Sequence, residues 1–328
     1  MANIQEVAKE AGVSVATVSR VMNGGAVTPK TKGKVEEVIK RLNYEPSMLG
    51  RNLRNSESRL LLVLIPTISN PYYSDIINGI ENTVIRQGYN ILLCETDSNP
   101  ERENIYFDMV RKKMADGIIS MDPTVNMEEL KILAEDHPII QCSEYSVESG
   151  IPFVTIDNEE AAYRAVSHLV NIGRTDIAMI NSDVTFLYAR QRQLGYQRAL
   201  EEKGVPFDEG NVYYTNGPSF ERGQQAMRKI LTDHKDHSAV FAVSDLLAIG
   251  ALKEAHQLGL RVPEDIAIAG FDKIAFSNMT NPALTTIAQP MYDMGTTSAQ
   301  MLIDKINGRT VESTMMSHEL IIRESTIG

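Results

Sequence analysis

Two short runs of helical periodicity parted by a glycine, within residues 3–22, constrain this chain more tightly than any other stretch. Ile4, Val7, Ala8 and Ala11 recur at i, i+3, i+4 and i+7, which lines one face of a helix. Asn3 with Glu6 three residues on has the spacing of a capping box, and Gly12 supplies a left-handed end. Ser14 is placed to cap a second helix that turns Val18, Val21 and Met22 inward and leaves Val15, Ala16, Thr17, Ser19 and Arg20 outside. A face that is small, hydroxylated and basic suits a DNA major groove, because short hydroxyls bond phosphates and an Arg forks onto a guanine edge. Gly24-Gly25 then gives a loop, and Thr28-Pro29 opens a third helix whose Val35, Val38, Ile39 and Leu42 keep helical spacing. Residues 1–45 are therefore expected to form a three-helix unit of the helix-turn-helix class rather than a bare surface hairpin.

Charge supports that division. The net charge of −11 argues against nucleic acid if it is spread evenly, but residues 1–60 hold five Lys and five Arg against six Glu, a net of +4 that leaves −15 for the remainder. A basic head on an acidic body fits DNA contact at one end. Apolar runs fall short of the ~20 residues that a membrane span needs, and the N-terminus lacks a signal-peptide pattern, so no membrane association and a cytoplasmic, nucleoid-associated location are expected. Cys94 and Cys142 each sit in or beside an apolar strand-like run and are expected as buried free thiols.

Residues 46–59 begin with Pro46, allow about one helical turn and end in polar residues, the pattern of a hinge helix and linker. Leu53 beside Arg54 makes an apolar wedge flanked by a cation, which minor-groove kinking requires; the alternative is a plain linker.

From residue 60 the pattern changes. Leu60 to Ile65 is apolar without alternation, as in a parallel strand covered on both faces. Further strands are expected near 89–94, 117–121, 139–142, 153–156, 177–181, 211–214, 239–243 and 266–271. Helices are expected near 73–87, 102–114, 160–171, 188–202, 220–231 and 245–258. The alternation predicts an α/β body of two doubly wound parallel-sheet lobes, the first mainly 60–157 and the second mainly 160–285, with the C-terminal segment crossing back.

Catalytic signatures are missing from this body. The turn after the first strand, Thr67 to Tyr73, lacks the closely spaced glycines that bring backbone against a pyrophosphate, and there is no Walker-type lysine loop. No enzyme activity, cofactor or metal is expected, and His234 with His237 reads as a solvated loop. The strand ends instead carry a binding-type set: Tyr72 and Tyr73 after the first strand, Ser143 and Glu144 after another, Ser244 and Asp245 after a third, and Asp272 closing Ala-Gly-Phe-Asp. Ligands of open α/β sheets lie at such carboxyl ends. Aromatic faces with carboxylates and an Arg, here Arg192, suit a sugar or nucleoside, although Asp245 alone could be a helix cap.

At this point the residues form a known pattern. Val7-Ala8 with Gly12-Val13-Ser14, Thr17-Val18-Ser19-Arg20-Val21, Asn43-Tyr44 with Pro46, Asp116-Gly117, Gly195-Tyr196, Pro263-Glu264-Asp265 and Gly270-Phe271-Asp272 resemble the lactose/galactose repressor family along essentially the whole chain. The resemblance implies a homodimeric repressor on a double-stranded palindromic operator, with hinge helices inserting leucines into the central minor groove and a small-molecule effector, a sugar or nucleoside, in a periplasmic-binding-protein-like body. By position Val15, Ala16 and Arg20 match base-reading residues, and Leu53 and Arg54 match minor-groove residues. Ser14, Thr17, Ser19 and Asn23 are the further DNA-contact candidates. Tyr73, Arg192, Asp245 and Asp272 match the effector cleft, to which Tyr72, Ser143 and Glu144 are added. Two departures stand out: the Asn23 to Val27 loop is one residue short, and Gly33 replaces a helix former. Around Phe186 to Tyr188 the polar residues of purine-binding members are absent, so guanine and hypoxanthine are not expected.

Overall fold

The structure is a computed structural model that describes residues 2–22, 24–44, 57–122, 126–233 and 236–327. The chain divides into two compact units, Met1–Ser58 and Arg59–Gly328.

In the first unit, helices α1 (Ile4–Ala11), α2 (Val15–Met22) and α3 (Pro29–Arg41) form where caps and periodicity coincide. Asn3 accepts from the Glu6 amide while the Glu6 carboxylate takes the Asn3 amide, both at 3.0 Å, and Gly12 closes α1 at φ 62°. Thr28 accepts from the Thr31 amide and Pro29 occupies the first turn of α3. Val7, Ala8, Ala11, Val18, Val21, Val35 and Val38 make the core, with Met22 packed at its edge.

The second unit starts with β1 (Leu60–Ile65), α4 (Tyr72–Arg86), β2 (Asn90–Glu95), α5 (Pro100–Arg111), β3 (Gly117–Ser120), α6 (Met127–Asp136), β4 (Ile139–Cys142) and β5 (Phe153–Ile156). It continues with α7 (Asn158–Asn171), β6 (Ile177–Asn181), α8 (Leu187–Glu202), β7 (Val212–Tyr214), α9 (Phe220–Thr232), β8 (Ala239–Ala242), α10 (Asp245–Gln257) and β9 (Ala267–Asp272). The last elements are β10 (Thr285–Ala288), α11 (Met291–Ile306), β11 (Thr314–Met316) and β12 (Glu319–Ile321). Two sheets result, in the orders β11-β5-β4-β3-β1-β2 and β12-β10-β9-β8-β6-β7. All pairings are parallel except β12 on β10. Residues 61–65 of β1 are fully buried, as a strand covered on both faces requires. The chain passes between lobes after β5, after β10 and after β11: α11 packs on α4, β11 joins the first sheet and β12 the second.

Periodicity does not mark α6, α11, β10, β11 or β12. In β10 the buried pair Thr285 and Thr286 breaks the apolar run, because their hydroxyls are bonded internally. In α11 buried Gly295 and Ser298 thin the apolar face, and β11 and β12 are three residues each. Cys94 and Cys142 are buried and free. Burial pushes both thiols up to about 12.

Candidate functional site

In the head, the exposed face of α2 carries Val15, Ala16 and Arg20, with Thr17 and Ser19 half-buried beside them. Ser14 serves the helix itself: its Oγ accepts the Thr17 amide at 3.2 Å and bonds Thr17 Oγ1 at 2.9 Å. Arg20 is thus the long donor of this face. Asn23, Leu53 and Arg54 lie outside the described residues.

In the body, strand ends of both lobes frame one cleft of about 370 Å³ that contains Tyr72, Tyr73, Ser143, Glu144, Arg192 and Asp272. Its centre is Arg192, which α8 carries inward and which is only 5% exposed. Nε donates to Asn158 Oδ1 at 3.0 Å, and one terminal nitrogen donates to the Val243 carbonyl at 2.5 Å and lies 3.7 Å from Asp272 Oδ1. The guanidinium also covers the Phe271 ring at 3.5 Å and the Tyr188 ring at 4.9 Å. Such bracing holds a buried cation that would be costly alone. Asp272 accepts the Gln289 amide at 2.8 Å. Burial pushes its carboxyl up to about 7, against the opposing pull of Arg192 and Gln289.

Tyr72 ties the lobes together: its hydroxyl is 2.8 Å from Ser143 Oγ and donates to Gln289 Oε1 at 3.2 Å. Tyr73 packs edge-on against it, with ring centroids 5.3 Å apart. Glu144, in the first lobe, caps a second-lobe helix, because its two oxygens take the Leu187 and Tyr188 amides at 2.5 and 3.2 Å where Phe186 offers no side-chain cap. Burial raises this carboxyl to about 7 although the amide bonds lower it. Ser143 at φ 72° and Asp272 at φ 116° both occupy the backbone region that favours glycine, a strain that clusters at functional sites.

One assignment changes. Asp245 does not line the cleft; it is fully buried behind it, where Oδ2 takes the Ile274 amide at 2.9 Å and Oδ1 the Thr286 hydroxyl at 2.7 Å. It staples the turn that presents Asp272, while Ser244 supplies the helix cap and lines the cleft. His237 is likewise not solvated: it is buried with Nδ1 3.2 Å from Asp176, and His234 lies outside the described residues. No group of three or more metal-binding side chains occurs among the described residues. Nor is any described helix long and apolar enough to cross a membrane. Sequence reasoning missed Asp122, which lines the cleft, and Asn158 and Gln289, which hold Arg192 and Asp272 in place; no local pattern signals any of these roles.

Comparison with known proteins agrees with this geometry. Residues 3–47 match the description "Bacterial regulatory proteins, lacI family", and residues 58–324 match "Periplasmic binding proteins and sugar binding domain of LacI family". Catabolite control protein A of Priestia megaterium is 36% identical, with 98% of each chain covered. The transcriptional repressor CytR of Escherichia coli (strain K12) is 37% identical over 99% of this chain and 96% of that one. Among solved structures, the lac repressor dimer bound to operator and the anti-inducer ONPF superposes with a TM-score of 0.89 at 25% identity, over 100% of this chain and 99% of that one. A regulator from Enterococcus faecium with bound ribose gives 0.74 at 28%, over 81% of this chain and 98% of that one.

Proposed function

The chain belongs to the lacI family of bacterial regulatory proteins, and from that premise we propose how its two units divide the work of a DNA-binding transcription regulator with an effector-binding body. A homodimer reads a palindromic operator through Val15, Ala16 and Arg20, with Ser14, Thr17, Ser19 and Asn23 toward phosphates and Leu53 with Arg54 in the central minor groove. Arg20 reads a base edge, and Val15 and Ala16 meet thymine methyls. The work is done on cytoplasmic, nucleoid DNA and involves no catalysis.

The cleft binds a small polar effector, a sugar or nucleoside. A single observation carries this: a buried arginine, braced by Asn158 and paired with Asp272, stands among aromatic faces in a cavity of about 370 Å³. Arg192 and Asp272 bond ligand hydroxyls, and Tyr73 and Tyr188 pack against its faces. Glu144 and Tyr72 bridge the lobes, so a ligand there biases their arrangement and thereby operator affinity, with a coupling of ~1–3 kcal/mol. That a structural relative was solved with bound ribose supports the ligand class. A binding protein without DNA function is the alternative, and the match of residues 3–47 weighs against it.

Fluorescence anisotropy on the chain's own upstream DNA, with and without a panel of sugars and nucleosides, tests the reading. Arg192→Ala and Asp272→Asn should abolish the ligand response and keep ligand-free operator behaviour. Full ligand response in both variants would reject the cleft assignment.

A further inference from the structure

The first-lobe wall of the cleft holds an acid that the reading above does not use. Asp122 follows β3, lines the cleft and is 1% exposed. Its Oδ2 accepts Thr96 Oγ1 at 2.6 Å and Ser98 Oγ at 2.9 Å, while Oδ1 has no hydrogen-bond partner. Behind it Glu103, 2% exposed on α5, has an equally unbonded Oε2. Asp97 lines the same end but is exposed and 3.6 Å from Arg102, so Asp122 is its buried acid. This end of the cleft therefore offers acceptors, and a buried acceptor without a donor is costly. The cations that line the cleft, braced Arg192 and Arg222, both enter from the other lobe.

We propose that Asp122 is a specificity-determining residue: its unbonded oxygen accepts a hydroxyl of the ligand, and its charge rejects a phosphate or carboxylate at that end. The effector is thus an unphosphorylated molecule with a hydrogen-bond donor at each end, one for Asp122 and one for Asp272. A phosphate monoester would set two negative groups together in a desolvated wall, whereas a hydroxyl satisfies the acceptor without added charge. Burial already raises both the Asp122 and the Glu103 carboxyls, and Asp122 adds to the rise of Glu103. This inference rests on the cleft being the effector site.

Calorimetry on the full chain with D-ribose, cytidine and the phosphate monoester of each provides the test. The wild type should bind a neutral ligand roughly tenfold or more tightly than its monoester, and Asp122→Ala should lose about tenfold for the neutral ligand. Asp122→Asn keeps the shape, so it guards against misfolding; it should shrink the preference over the monoester to about twofold. An unchanged preference in Asp122→Asn, or a wild type that favours the monoester, overturns the inference. Arg192→Ala separates the two levels. Lost binding there beside wild-type behaviour of the Asp122 variants sinks Asp122 alone, whereas undiminished binding in Arg192→Ala sinks the cleft reading itself. If the wild type binds none of the four, the effector class is wrong and both fall.

Discussion

Gly195→Ala should uncouple the body from its ligand without touching a ligand-binding side chain. Gly195 lies one turn beyond Arg192 on α8, where α8 crosses α7, and a methyl placed there would stand 2.1 Å from the Glu159 carbonyl oxygen and 2.8 Å from the Tyr163 amide. Both neighbours are helix backbone, so the helices must separate by about 1 Å to reach ordinary contact near 3.3–3.5 Å. Replacing Gly by Ala inside a helix favours folding by about 1 kcal/mol, but overpacking against rigid backbone costs typically 1–3 kcal/mol or more. The cost wins, and a net loss of ~1–2 kcal/mol is expected. Function should suffer more than stability, because the Arg192 Nε to Asn158 Oδ1 bond of 3.0 Å spans these same two helices and a 1 Å separation, roughly, takes it past bonding range. Urea unfolding measures the first effect, and ligand calorimetry the second. A variant as stable as wild type with undiminished ligand affinity would refute the argument. Gly33→Ala is the control: inside α3 its added methyl meets nothing within 4 Å, so only the propensity gain remains and the head should be stabilised by ~0.5–1 kcal/mol.

Three further outcomes are expected. Burial raises Glu103 to about 8 in the folded state, so folding binds a proton more tightly and stability falls as pH rises from the ordinary carboxyl range to about 8. Glu103→Gln should match wild type at about pH 4 and exceed it on the order of 1–3 kcal/mol at about pH 9, and parallel unfolding curves at both pH values would contradict this. Asp245→Asn gives the Ile274 amide or the Thr286 hydroxyl the wrong partner; a loss of ~1–3 kcal/mol in urea unfolding, with weakened ligand binding, should follow, and unaltered binding would show that Asp272 does not depend on the staple. Arg20→Ala should weaken specific operator binding by ~1–3 kcal/mol and relax one base position, checked by anisotropy on base-substituted operators; unchanged affinity would move the reading face elsewhere.

The head was legible because its determinants are local. The Asn3–Glu6 box, the left-handed Gly12 and the period of Val7, Ala8 and Ala11 all act within one or two turns, and the structure realises each. The α/β class was legible for a related reason: parallel strands buried on both faces read as apolar runs, as Leu61 to Ile65 do. Family motifs further gave Arg192 and Asp272 their places in the cleft, although neither residue is distinguishable by pattern from a surface ion pair or a cap.

Sequence by itself thus determined the helical head, the alternating body and the kind of chemistry available at the strand ends, because periodicity, capping and residue type are properties of neighbours along the chain. Tertiary structure alone decided which of those residues face a ligand. Glu144 meets the Leu187 amide across 43 residues, Arg192 meets Asn158 across 34, and Asp245 is drawn away from the cleft by Thr286, 41 residues on. Each outcome turns on a buried polar group taking whichever partner the packed lobes bring within reach, and burial makes leaving it unpaired so costly that long-range geometry, not local pattern, assigns the role.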